Sequence, residues 1–129
     1  MGHPDRDHRE ALTLDLCAGQ IVLADWRDAL PREANKRRPA VVVEDRALFD
    51  LTYDNALLVP LTEDARLAIS DLSVAIEPSA ENGCPKRCFA VAHLVTATSK
   101  ERIRPTTSRI TAGQLAEIRE RIALCVGIA

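Results

Sequence analysis

Residues 35 to 44 read NKRRPAVVVE, three consecutive cations and a proline ahead of a run of valines. Lys36, Arg37 and Arg38 repel one another, so they need either bulk water or a negative partner. Two readings follow. Basic loops between strands are commonly solvated surface and nothing more. The other reading is a phosphate site, with Arg38 the best placed of the three. A residue directly before proline is confined to extended conformations, so Arg38 is held at the root of the valine strand. Its planar fork of five donors matches phosphate oxygens. The stretch belongs to a basic cluster running from Arg27 through Arg32 to Arg38, opposed only by Asp28 and Glu33.

Cys17, Cys84, Cys88 and Cys125 offer a second chemistry. Cys84 and Cys88 are four residues apart, which is not the C-x-x-C spacing of a zinc knuckle or a redox pair. Completing a zinc site with His93 would have to overcome that spacing, so free reduced thiols are expected, with no metal and no cofactor.

The elements that must position these groups can be read from punctuation and periodicity. Residues 1 to 17 form an N-terminal arm in which REALTLDL can make a short helix, and residues 18 to 129 form the main domain. GQIVLADW is strand-like behind Gly19, and Trp26 closes it as a core anchor or as a platform for a base. RDALPREANKR is a long polar loop, with Asp25 and Asp28 capping or solvating its start. PAVVVE is a second strand whose Pro39 suits only the first position. DRALFDLTYDN allows one helical turn, and ALLVPLT is a third strand in which Pro60 demands an edge or a bulge. LSVAIE alternates with period two, placing Leu72, Val74 and Ile76 on one face. After the turn around Asn82-Gly83, CFAVAHLVT is a fifth strand with Phe89, Val91, His93 and Val95 on a shared face.

The C-terminus is helical. Thr111 and Gln114 make a capping box, and Leu115, Ile118, Ile122 and Cys125 form the apolar stripe, with Gly127 as the stop. Five short strands and a terminal helix, without strand–helix alternation, give a mainly β fold: a small antiparallel barrel with a C-terminal helix and short additional helical turns.

The chain of 129 residues suits one domain. Its 47% hydrophobic content excludes disorder, and a net charge of −2 excludes a uniformly basic nucleic-acid binder. Binding to a polyanion must come from local clusters, among which Arg102, Arg104 and Arg109 form a second basic group. No run of 18 apolar residues occurs and the first residues lack a signal peptide's apolar stretch, so no membrane contact and a cytoplasmic location are expected.

The succession GQIVLADW, RRPAVVVE and LLVPLTED, with a glutamate five residues before Arg-Pro and a CVGIA finish, resembles the MazF/PemK family of toxin ribonucleases over roughly residues 18 to 128. The resemblance implies an SH3-like barrel and a homodimer. It also implies metal-independent, sequence-specific cleavage of single-stranded RNA and silencing by a cognate antitoxin. It assigns the catalytic work to Arg38 at the strand root and Thr62 at the strand end, and matches the family's loop glutamate to Glu33, a base or a partner for Arg37. Arg32, Glu33, Lys36, Arg37 and His93 are then expected to contact RNA. Cleavage through the 2′-hydroxyl to 2′,3′-cyclic phosphate and 5′-hydroxyl ends needs a stabilised phosphorane, which Arg38 can supply. It also needs a proton shuttle, for which arginine and threonine are poor at their ordinary pKa values.

The sequence departs from the family at AHLVT, residues 92 to 96, where the Asp and Arg of an Asp-Gln-x-Arg-Thr stretch are missing. His93 can replace them as acid or base, or it can be a half-buried strand histidine. Two rival functions follow. One is a non-catalytic SH3-like nucleic-acid-binding module. The other is a CcdB-like gyrase poison, which works through a C-terminal tryptophan absent from ALCVGIA.

Overall fold

The valine run is buried on both sides. In β2 (Arg38–Val42), Ala40 and Val42 enter one apolar cluster, while Val41 and the following Val43 enter another. A strand covered on both faces is apolar throughout, which is why this stretch shows no alternation. The computed structural model describes residues 14–26 and 37–128. The first thirteen residues of the arm, Arg27, Asp28, Arg32, Glu33 and Lys36 lie outside the described residues.

All strand pairs are antiparallel. β1 (Gln20–Ala24) pairs with β2 from Ile21↔Val41 to Ala24↔Arg38, and its other edge takes β7 (Ile103–Arg109). β2 pairs with β3 (Asn55–Thr62) through Ala40↔Pro60, Val41↔Val59 and Val42↔Leu58. The far side of β3 is shared: β6 (Thr96–Ser99) covers Asn55 to Leu58, and β5 (Cys88–Val91) covers Leu61 and Thr62. β4 (Ser73–Ile76) completes the sheet beyond β5. The order is β4-β5-β3-β2-β1-β7 with β6 also on β3, so the mainly β, antiparallel expectation holds while β4 and β7 leave the barrel open. Pro60 needs neither an outer edge nor a bulge. It sits where β3 has left β6 and not yet met β5, flanked only by β2.

α1 (Ala112–Cys125) opens with the expected capping box. The Gln114 N–H donates to Thr111 Oγ1 at 3.0 Å and the Thr111 N–H to Gln114 Oε1 at 2.9 Å. It ends in a Schellman turn: Gly127 has φ +84°, its N–H donates to the Leu124 carbonyl, and the Ile128 N–H donates to the Ala123 carbonyl. Ile118 plugs the first core and Leu115 and Ile122 pack beside it, while Arg119 donates to the carbonyls of Val43 and Glu44. Cys125 does not continue that stripe; it is exposed together with Leu124 and Val126, because the last turn stands clear of the core. Thr111→Ala is expected to cost about 1 kcal/mol, read as a lower urea midpoint with an unchanged m-value.

The second core lies on the other sheet face, where Val22, Ala24, Val42 and Leu58 are covered by Leu16 of the arm and Ile103 of β7. The single long strand expected over residues 88 to 96 is broken. After Val91 the chain makes a 3-10 turn, Ala92–Leu94, against which α1 packs, and resumes as β6. His93 therefore lies on a turn and shares no strand face with Phe89 and Val91. No helix among the described residues is long and apolar enough to cross a membrane.

Candidate active site

Arg38 opens β2 and Thr62 closes β3. Continuing the Ala40↔Pro60 register by two residues places the two opposite each other, at a Cα spacing of roughly 5 Å for an antiparallel pair. Arg38 is also opposite Ala24 of β1, and Thr62 opposite Phe89 of β5, so the pair is anchored in mid-sheet. Both residues line two clefts, of about 560 Å³ and about 320 Å³. With Leu61, they are the described lining residues that the two clefts share.

The segment after Thr62 fixes its hydroxyl. The Asp64 N–H donates to Thr62 Oγ1 at 3.1 Å, which leaves the hydroxyl hydrogen to donate elsewhere. Asp64 in turn accepts three bonds from Arg66, from its backbone N–H, Nε and Nη2, at 2.9–3.1 Å. Those bonds hold its carboxyl below the usual carboxylate range and cap the 3-10 turn Ala65–Leu67. Asp64 is a structural anion and a weak proton acceptor. Glu63 has no such clamp. It points to Lys86 Nζ at 3.5 Å, with both side chains largely exposed, a pairing worth little and easily exchanged.

Lys86 arrives on the loop before β5, which folds over the larger cleft. Buried Asn82 organises that loop: its Oδ1 accepts from the Ser79 and Cys84 N–H groups, and its Nδ2 donates to the Glu77 carbonyl. Arg87 pairs with Glu77 at 3.0 Å and stands 5.3 Å over the Phe89 ring. Burial, then the negative charge of Cys84, pushes the Cys88 thiol up to about 12, so it stays protonated.

The structure brings Arg38 and Thr62 together and leaves His93 apart. His93 lines neither cleft, and its Nδ1 is buried without a hydrogen-bond partner among the described residues. Arg37 is exposed and lines a different hollow, with Lys100 and Arg104. Arg32, Glu33 and Lys36 lie outside the described residues. Trp26 is a core anchor whose indole N–H donates to Thr98 Oγ1 at 3.0 Å, and it also lines the smaller cleft. Among the described residues no three His, Cys, Asp or Glu side chains gather as metal ligands, so Cys84, Cys88 and His93 do not assemble a zinc site. Sequence reasoning passed over Glu63 and Lys86. Adjacency to Thr62 could have flagged Glu63, but nothing local predicts where Lys86 lands.

A sequence model of the PemK-like, MazF-like toxins of type II toxin–antitoxin systems matches residues 18–126. No curated protein sequence matches. Solved structures share the fold. An endoribonuclease in complex with its cognate antitoxin, from a mycobacterial species, superposes with TM-score 0.66 at 19% identity, over 90% of this chain and 98% of that one. The MazF of Deinococcus radiodurans gives 0.65 at 22% identity, over 85% and 94%. The Mycobacterium tuberculosis toxin MazF-mt6 gives 0.66 at 14% identity, over 85% and 98%. With the family pattern spanning residues 18–126, and Arg38 and Thr62 facing each other at its centre, the chain belongs to the PemK-like, MazF-like toxins of type II toxin–antitoxin systems.

Proposed function

We propose that this toxin is a metal-independent endoribonuclease that cleaves single-stranded RNA through its 2′-hydroxyl, acts as a homodimer, and is silenced by a cognate antitoxin. The observation that carries the reading is that Arg38 and Thr62, at the ends of neighbouring strands, line the same two clefts. Related folds described as endoribonucleases, one bound to its antitoxin, support the activity and the partner.

In this mechanism Arg38 binds the scissile phosphate, and its guanidinium meets the charge that grows on the nonbridging oxygens. Thr62 donates its free hydroxyl hydrogen to one of them. Glu63 accepts the 2′-hydroxyl proton as Lys86 leaves it for the RNA backbone. The 2′-oxygen bonds to phosphorus while the bond to the 5′-oxygen breaks, and water protonates the departing oxygen. The products are a 2′,3′-cyclic phosphate and a 5′-hydroxyl. Glu63 thus fills the gap left by the missing Asp and Arg of residues 92 to 96.

The test is cleavage of a long single-stranded RNA in excess EDTA, with the ends analysed chemically. Discrete cuts bearing 2′,3′-cyclic phosphates are expected. Thr62→Val should slow them about tenfold, the loss of one hydrogen bond near 1.4 kcal/mol in the transition state. RNA that is bound but never cut would establish the non-catalytic binding module instead.

A further inference from the structure

Two thiols line the larger cleft. Cys84 Sγ and Cys88 Sγ are 3.8 Å apart, Cys84 half-buried and Cys88 buried at 4% exposure. Neither backbone is loose. The Cys84 N–H donates to Oδ1 of buried Asn82 at 2.9 Å, and Cys88 opens β5 opposite Ile76 inside the first core. The fold therefore aims two sulfurs at each other across a five-residue segment, Cys-Pro-Lys-Arg-Cys. With no third ligand gathered beside them among the described residues, a bond between the sulfurs fits better than a shared ion. A disulfide brings sulfurs to about 2.05 Å, so closure needs a displacement of under roughly 2 Å.

We infer that Cys84 and Cys88 are an oxidation switch: a hydroperoxide converts them to an intramolecular disulfide that weakens the cleft's hold on RNA and slows cleavage. The inference rests on the ribonuclease reading of the same cleft. Cys84, the more accessible sulfur, attacks the peroxide as thiolate. The O–O bond breaks, the alcohol or water leaves, and Cys84 becomes a sulfenic acid. Cys88 then attacks that sulfur and expels water, so the two sulfurs together lose two electrons and the peroxide gains them. Burial is the main cause that keeps the Cys88 proton on, so that proton leaves with the sulfenic oxygen as water when the sulfur–sulfur bond forms.

The link to the site runs through Lys86, which lies inside the closing ring and pairs with Glu63. Drawing Cys84 inward shifts Lys86 and the cleft wall opposite Arg38 and Thr62. A transient disulfide of this kind suits a compartment that otherwise keeps thiols reduced.

The experiment treats the full chain with hydrogen peroxide, blocks remaining thiols, and maps the masses of its peptides. RNA affinity and cleavage are then measured on the oxidised and the dithiothreitol-reduced protein. The expected result is the loss of two hydrogens with Cys84 and Cys88 in one cross-link, and weaker RNA binding. Cleavage should slow about tenfold, or about 1.4 kcal/mol, and recover on reduction. Cys84→Ser and Cys88→Ser should each cut RNA at the same rate with and without peroxide. Blockable thiols at both positions after peroxide, oxidation confined to Cys17 or Cys125, or a disulfide with unchanged RNA binding each overturn the switch. A chain that binds RNA but cuts none in either state, and whose affinity still falls on oxidation, overturns the ribonuclease reading and upholds the redox control of RNA binding.

Discussion

Arg38→Ala is expected to reduce RNA cleavage by about 10²–10³-fold, with the loss in kcat rather than in KM. The reason is where the charge appears. A ground-state phosphodiester carries one negative charge, and the phosphorane carries more on its nonbridging oxygens, so a fixed cation at that point helps the transition state more than the substrate. Arg38 is fixed twice over. Pro39 restricts its backbone, and the register with Ala24 seats it against β1. Little reorganisation is required at the moment of reaction. Arg38→Lys should recover only part of the rate, since an ammonium lacks the two-pronged geometry that meets a phosphate. Single-turnover cleavage of a short single-stranded RNA in EDTA, beside a thermal melt of each variant, separates chemistry from stability. An alanine variant that cleaves at the wild-type rate would remove Arg38 from the mechanism.

The elements around this arginine were legible because their signals are local. The Arg-Pro junction announces a strand root, Gly19 a strand start, and Thr111 with Gln114 a helix start, and all three stand where expected. β6 and β7 were not legible. β7, IRPTTSR, buries only Ile103 and carries a proline opposite Val22, so it shows neither an apolar run nor alternation. It is a strand because β1 offers an edge, and its β-branched threonines were the sole local hint. The run CFAVAHLVT misled in the opposite direction. It is strand-like throughout, yet Ala92 and His93 turn under α1, a contact no short window contains.

The site divides in the same way. Arg38 and Thr62 are 24 positions apart (62 − 38), but each sits at the end of a recognisable strand, so one hairpin register brings them together. Lys86 and the two facing thiols reach the cleft only because Asn82 ties a loop back on itself through hydrogen bonds that sequence periodicity does not encode. His93 shows the converse. Its chemistry suits proton transfer, but it lines neither of the clefts that Arg38 and Thr62 share.

That leaves the proton, and Glu63→Gln is the variant expected to expose it. A positioned general base contributes about 10²–10⁴-fold, and glutamine keeps the size and polarity of glutamate while losing the ability to take a proton. Among the described residues the two carboxylates lining the larger cleft are Glu63 and Asp64, and their surroundings separate their roles. Asp64 is bound three ways by Arg66 and held below the usual carboxylate range, so it does not readily accept a proton. Among the described residues Glu63 is engaged by an exposed lysine at 3.5 Å, a partner that an arriving RNA phosphate can draw away. Glu63→Gln should therefore lower kcat by about 10²–10⁴-fold with KM nearly unchanged, while Asp64→Asn leaves kcat within about threefold, since removing a surface turn's anchor alters little of the chemistry. The split between kcat and KM is a readout that a merely structural glutamate would not give. If kcat holds in Glu63→Gln, the proton goes elsewhere. Arg38 and Thr62 then keep their roles, and the search for the base moves to Glu33 in the 27–36 segment.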